Sequence, residues 1–180
     1  MKPQLAFISA MLLLSCLALP CTALESQFLT ISEKSLSVDL GPGFEISKGV
    51  FNASGNGKLS QEFLINNTEA PGAAFLSIMG VYDEIMRKLS ADSLCEIFLI
   101  GGLEGAKSRG DVQAENWTAV DHLGRNVTVC TMKSKDMALS WAGGSYDIAV
   151  WNLEGSTYAL MVSMLDRKNT TEVIRTLSIK

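Results

Sequence analysis

Apolar residues crowd one end of the chain and alternate along most of the rest. Residues 5–19 are almost wholly apolar and carry no charge. The run counts 15 residues, short of the ~20 a membrane-spanning helix requires. Lys2 precedes it, Pro20 breaks it, and Cys21, Thr22 and Ala23 follow with small side chains. That is the three-part pattern of a secretory signal, with cleavage expected after Ala23. A rival reading takes Leu13-Leu14-Ser15-Cys16 as a loose lipobox, in which Cys16 would be acylated and anchor the chain to a membrane. Residues 1–23 are therefore read as a signal peptide and 24–180 as one secreted domain.

Past that segment the period shortens to two. Residues 36–40 alternate and stop at Gly41-Pro42-Gly43, so a strand is expected there. Residues 44–51 and 59–66 read as paired strands joined by Ser54-Gly55-Asn56-Gly57, since Asn-Gly readily takes positive φ. Residues 73–81 are apolar and fit either strand or helix, with strand the preferred reading. Tyr82, Ile85, Met86 and Leu89 then recur at helical spacing, with Asp83, Glu84, Arg87 and Lys88 opposite. Ser93 and Glu96 have the spacing of a capping box for a second helix, running to Leu99 or Ile100 and ended by Gly101, Gly102, Gly105 and Gly110. Residues 116–120, 127–132, 146–153 and 157–165 read as a meander. The last two are apolar on both parities, which implies a sheet covered on both sides. A short helix over 170–177 closes the chain, with Asn169 as its N-cap and Glu172 at its third helical position.

The sum is an α+β domain: a central antiparallel sheet with helices packed on it. The closing stretch GSTYALMVSMLDRKNTTEVIRTLSIK runs strand, helix, apolar tail. With the early hairpin and the central meander, this order over residues 36–180 resembles the PsbP-like fold, also used by Ran-release factors. The resemblance implies an α/β/α sandwich. It carries over no functional residue, because members of that fold serve unrelated roles.

Charge then narrows the partners. The chain has a formal net charge of -4, and loss of Lys2 with the signal takes it to -5. Lys and Arg are scattered, so no footprint for nucleic acid or anionic lipid is expected. Cys95 and Cys130 are the two cysteines left after cleavage. In an oxidising compartment a disulfide is the simplest outcome. It would close a loop of ~35 residues and stabilise by roughly 3–4 kcal/mol. The alternative is two separate buried thiols.

Five of the eight asparagines, Asn52, Asn66, Asn116, Asn126 and Asn169, stand in Asn-x-Ser/Thr triplets, where chance gives about one. Each is a candidate glycosylation site on accessible surface. The competing role is local, as turn and cap residues.

Catalytic signals are sparse. His122 is the sole histidine and reads as a solvated turn residue, so neither a multi-histidine zinc site nor a Gly-x-Ser-x-Gly hydrolase is indicated. A Cys nucleophile would have only that imidazole for a partner. Asp83, Glu84, Glu104, Asp111 and Glu115 are candidate paired carboxylates, though no spacing brings two of them together. Nor does any motif call for a cofactor. Trp141, followed by Ala142-Gly143-Gly144, is the candidate ligand-contacting aromatic; Trp151 reads as core and Trp117 as a surface edge. The expectation is a secreted or cell-surface non-catalytic binding domain with a protein or glycan partner. Its alternatives are a structural subunit of an envelope assembly and a carboxylate-dependent hydrolase.

Overall fold

The computed structural model describes residues 27–31, 34–55, 58–81, 84–135 and 144–179. Trp141 and residues 1–23, read above as a signal, lie outside them. Ten strands and two α-helices follow in the order β1 (Gln27–Ile31), β2 (Lys34–Val38), β3 (Phe44–Gly55), β4 (Lys58–Asn67), β5 (Ala73–Val81), α1 (Ala91–Ser108), β6 (Val112–Val120), β7 (Asn126–Lys133), β8 (Ser145–Glu154), β9 (Thr157–Ser163), α2 (Arg167–Thr176) and β10 (Ser178–Ile179). Seven strands form one antiparallel sheet in the order β3-β4-β5-β9-β8-β7-β6. A second, small sheet has the order β1-β2-β10. The α+β class expected from the pattern is thus what the chain forms.

Strand β8 organises the two layers. Side chains alternate along a strand, and β8 is buried at Tyr146, Asp147, Ile148, Ala149, Val150, Trp151 and Leu153. Tyr146 and Ile148 join Met132 and Ala106 of α1 in one cluster. Ala149, Trp151 and Leu153 join Val173 and Ile174 of α2 and Leu177 in the other. Trp151 fits because its layer is lined by small residues: Ala74, Ala119, Ala149 and Ala159 share the cluster, and Ala159 is its cross-strand partner. Its Nε1 is buried without a hydrogen-bond partner among the described residues.

Helix α1 departs from expectation at both ends. Its N-cap is Ser90, whose hydroxyl accepts from the Ser93 N–H, three residues before the expected start. It then runs through Gly101, Gly102 and Gly105 to Ser108. Packing overrides the poor propensity of glycine: Gly102 lies against β8, where an added Cβ would stand 3.4 Å from Ile148 Cγ2. The stop comes at Gly110 (φ 87°), with the Arg109 and Gly110 N–H groups returning to the carbonyls of Ala106 and Lys107.

The helix expected over 82–89 reduces to a 3-10 turn at Met86–Lys88. Ile85, meant for its apolar face, is 75% exposed. Met86 alone of the described stripe packs on a buried cluster, that of Val81, Leu94 and Tyr158, and so short a period cannot offset helix nucleation. Helix α2 also begins three residues early. Asp166, not Asn169, is its N-cap, and its carboxylate accepts from the Asn169 N–H at 2.8 Å.

The core assignment of Trp151 is testable by urea unfolding. Trp151→Ala should cost roughly 3–5 kcal/mol by leaving a cavity among alanines too short to close it. Trp151→Phe should cost far less, because it removes the unpaired N–H along with part of the ring. Equal losses would place the indole outside the core.

Candidate functional site

Three groups of polar side chains interrupt the packed layers. The first borders a cavity of about 180 Å³ on the α1 side, lined by Phe75, Arg109, Asp111, Ser134, Tyr146, Val162 and Met164. Asp111 follows the glycine stop of α1 and is buried. Its Oδ2 accepts from the Tyr146 hydroxyl at 2.5 Å. The Tyr146 oxygen accepts in turn from Arg109 Nη2 at 3.3 Å, and that nitrogen stands 3.8 Å from Asp111. Burial pushes the Tyr146 hydroxyl above the usual phenol value, and its bond to the carboxylate adds to the effect. Arg109 keeps much of its guanidinium in water. The cavity therefore pairs an apolar wall with a guanidinium, a carboxylate and a phenol at its rim, the mix expected of a small binding site.

This cavity opens onto a sheet face that α1 leaves uncovered. Leu64, Phe75, Val162 and Ile148 form one cross-strand row from β4 to β8. Ile148 is under the helix, and Met79 packs on the cluster of Leu94 and Tyr158, but Phe75 is 39% exposed and Leu64, Val162 and Leu160 are half-buried. Gly101 and Gly105 have open space where a side chain would stand.

The second group lies on the opposite face. Glu115, Thr131, Asp147 and Ser163 occupy one cross-strand row over four strands. The Trp117 indole donates to Thr131 Oγ1 at 3.2 Å, and Thr131 donates to Asp147 Oδ1 at 2.6 Å. Ser163 is tied to Thr170 of α2 at 2.8 Å. Arg167 lies 4.5 Å over the Trp117 ring and 3.5 Å from Glu115. Burial raises the pKa of Asp147; the bonds from Thr131 and Trp117 and the charge of Arg167 oppose it without cancelling it.

The third group is the β6–β7 turn. Asp121 accepts from the N–H groups of Leu123 and Arg125 and from the Arg125 side chain at 2.8 and 2.6 Å. Burial alone would raise its pKa, but these donors outweigh it and the net shift is downward. His122 lies in this turn as expected, but it is half-buried and not solvated, with its Nδ1 buried and unpartnered among the described residues.

The cysteines do not join. Cys95 is a half-buried and Cys130 a buried free thiol. Cys130 pairs across strands with Ile148, the residue against which Gly102 packs. Cys95 lies two helical turns away, about 10 Å along α1, with its thiol against the Asn152 backbone. A disulfide reaches only about 7 Å between Cα atoms. The structure therefore has two separate thiols in place of the expected cross-link, both held protonated by burial.

The carboxylates singled out from sequence are likewise apart. Glu104 is exposed and pairs with Lys107 at 3.0 Å, Asp111 faces the cavity, and Glu115 faces the other layer. Asp83 is outside the described residues. Asp147 and Tyr146, missed as site residues, had a readable signal: a carboxylate and a phenol set inside the apolar run 146–151.

The sequons spread over the sheet. Asn116 and Asn126 are exposed; Asn66 and Asn169 are half-buried. Asn52 is on β3 opposite Gln61, with its side chain outside the described set. No family model, curated protein or solved structure matches the chain.

Asp121 and Asp147 should respond to substitution with opposite signs. Asp147 has a raised folded-state pKa, so its ionised form costs stability near neutrality, and the cost is relieved as pH falls through that value. Asp147→Asn should raise the urea midpoint at pH 7 and lose the advantage in acid. Asp121 has a lowered pKa, so its contribution is present at neutrality and lost as pH falls through the depressed value. Asp121→Asn should cost roughly 2 kcal/mol at pH 7 and less in acid. The same sign for both substitutions would contradict these assignments.

Proposed function

We propose that the chain is a non-catalytic binding domain acting outside the cytoplasm, with its ligand surface on the uncovered sheet face beside α1. The observation that carries this reading is the row Leu64–Phe75–Val162 meeting the Arg109–Asp111–Tyr146 cavity. Apolar surface left half-open at the centre of a packed sheet marks an interaction site more often than isolated surface residues do. The polar rim offers directional contacts that orient a ligand. Export rests on the signal-like segment and the sequons, and the PsbP-like resemblance is supported by element order alone. The partner on this reading is a protein or a glycan at the cell surface.

A second reading, carboxylate-dependent hydrolysis, is favoured by the Glu115–Thr131–Asp147 row. The Cα atoms of the two acids lie two strand spacings, about 9.5 Å, apart, and glycosidases use two carboxyl groups at such separations. Thr131 holds Asp147, Arg167 holds Glu115, and Trp117 covers the row. That arrangement suits a structural network better than a water-filled cleft.

Binding of the secreted chain to the surface of its host cells should fall by about tenfold or more, equivalent to about 1.4 kcal/mol, in Phe75→Glu and in Arg109→Glu. The thermal midpoint of Phe75→Glu should stay close to the parent's; that of Arg109→Glu should fall, because it sets a second carboxylate beside buried Asp111. Undiminished binding by both variants would exclude this face. A hydrolytic activity lost in Asp147→Asn would put the second reading in its place.

A further inference from the structure

We infer that Asn116 and Asn126 carry N-linked glycans that together shield the edge strand β6. The inference rests on the export reading above and goes beyond it by naming the modified residues and their use.

The β6–β7 hairpin places both triplets on one face. In its register Asn116 stands opposite Cys130, Thr118 opposite Thr128, and Asn126 opposite Val120. Period-two alternation therefore puts Asn116, Thr118, Asn126 and Thr128 on the same side. All four are exposed. The two triplets run antiparallel and share a central cross-strand pair, the two threonines whose hydroxyls complete each motif. At Asn116 it is Oδ1 that takes the hydrogen bond from Gln113 Nε2, so that bond does not engage the nitrogen a sugar would use.

The other described triplets are built into the fold. Asn169 lies in the first turn of α2, where its Nδ2 donates to Asp166 Oδ2 at 2.9 Å and the Thr171 hydroxyl donates to the Arg167 carbonyl at 2.8 Å. Both chemical partners of that motif are committed to the helix. Asn66 is half-buried on the interior strand β4, between Glu45 and Ala73.

The hairpin also has something to hide. β6 is an edge of the seven-stranded sheet, with unpaired backbone groups on its outer side. Val112 is 61% and Val120 47% exposed on it, and Leu123 in the turn is 58% exposed. An exposed edge with apolar side chains is a template for pairing with another chain unless something covers it. Val120 is the cross-strand neighbour of Asn126, so a glycan there lies over that apolar patch.

The donor required is a polyprenyl-phosphate- or diphosphate-linked oligosaccharide, the class used for modifying Asn-x-Ser/Thr in exported chains. The asparagine Nδ2 attacks the reducing-end carbon. A C–N bond forms as the C–O bond to phosphate breaks. The polyprenyl phosphate or diphosphate leaves, and Nδ2 gives up one proton.

Glycopeptide mass spectrometry of the full chain secreted by a glycosylating host should find sugar at Asn116 and Asn126 and none at Asn169. A mature chain that begins at Leu24 and bears no sugar at either hairpin asparagine would overturn this inference alone. An unmodified chain still beginning at Met1 would overturn the export reading with it. Enzymatic trimming of the folded glycoprotein, which avoids any variant that fails to fold, should convert a monomer into larger species by light scattering. Asn116→Gln/Asn126→Gln should do the same. Trimmed protein and double variant that both stay monomeric would overturn the shielding role.

Discussion

Strand β8 has to satisfy two layers at once, and the rest of the fold is arranged around that demand. Seven of its ten positions are buried. One parity packs on α1 and the other on α2 with the small sheet. A strand of this kind cannot sit at an edge or face water on either side, so β7 and β9 must flank it and a helix must close each face. The alanines around Trp151 and the glycine of α1 against Ile148 follow from the same demand. Each removes bulk from a neighbour so that β8 can keep its own.

Covering both faces of the middle leaves the periphery short of cover. Helix α1 lies over β8 and its near neighbours, and the sheet continues past it to β3 on one side and β6 on the other. The two overhangs differ in chemistry. Towards β3 one apolar row, Leu64 and Phe75, meets a polar-rimmed cavity, with Glu62, Asn66 and Ser77 flanking it on the same face. Towards β6 the uncovered face is polar, threonine-rich and marked by two asparagine triplets. On the two proposals above, the first side would make contact and the second would keep it away.

Much of this was legible because period-two alternation is a local property. The strand at 36–40 and the final meander followed from it, as did the two-sided cover implied by the parities of β8 and β9. The pairing of 44–51 with 59–66 came from the Asn-Gly signal between them, and 73–81 was an apolar run that fitted strand or helix. What failed depended on partners distant in sequence. Glycines 101, 102 and 105 read as the exit from a helix, because nothing nearby announces that Ile148, over forty residues on, would pack beneath one of them. The stripe of Ile85, Met86 and Leu89 read as a helix because its period is correct, but only Met86 finds a buried cluster to pack on and the other two stay exposed. Ser90 and Asp166 outcompeted Ser93 and Asn169 as caps by lying three residues nearer each helix's true start. The cysteine pair was inferred from number and compartment, and neither quantity carries distance. Asp147 was passed over because it is one carboxylate among apolar neighbours; Glu115, Thr131 and Ser163, which give it meaning, come from three other strands.

Strand β10 and the end of α2 are also tied back to β2 and the residue that follows it. β10 pairs with β2 at Ser178 and Ile179, and the Thr176 hydroxyl donates to the Asp39 carbonyl while accepting the Asp39 N–H across 137 positions of sequence. Nothing can complete that clasp until the final residues have left the ribosome. Throughout synthesis the nascent polypeptide lacks its last strand and last helix, and with them the lid over Trp151.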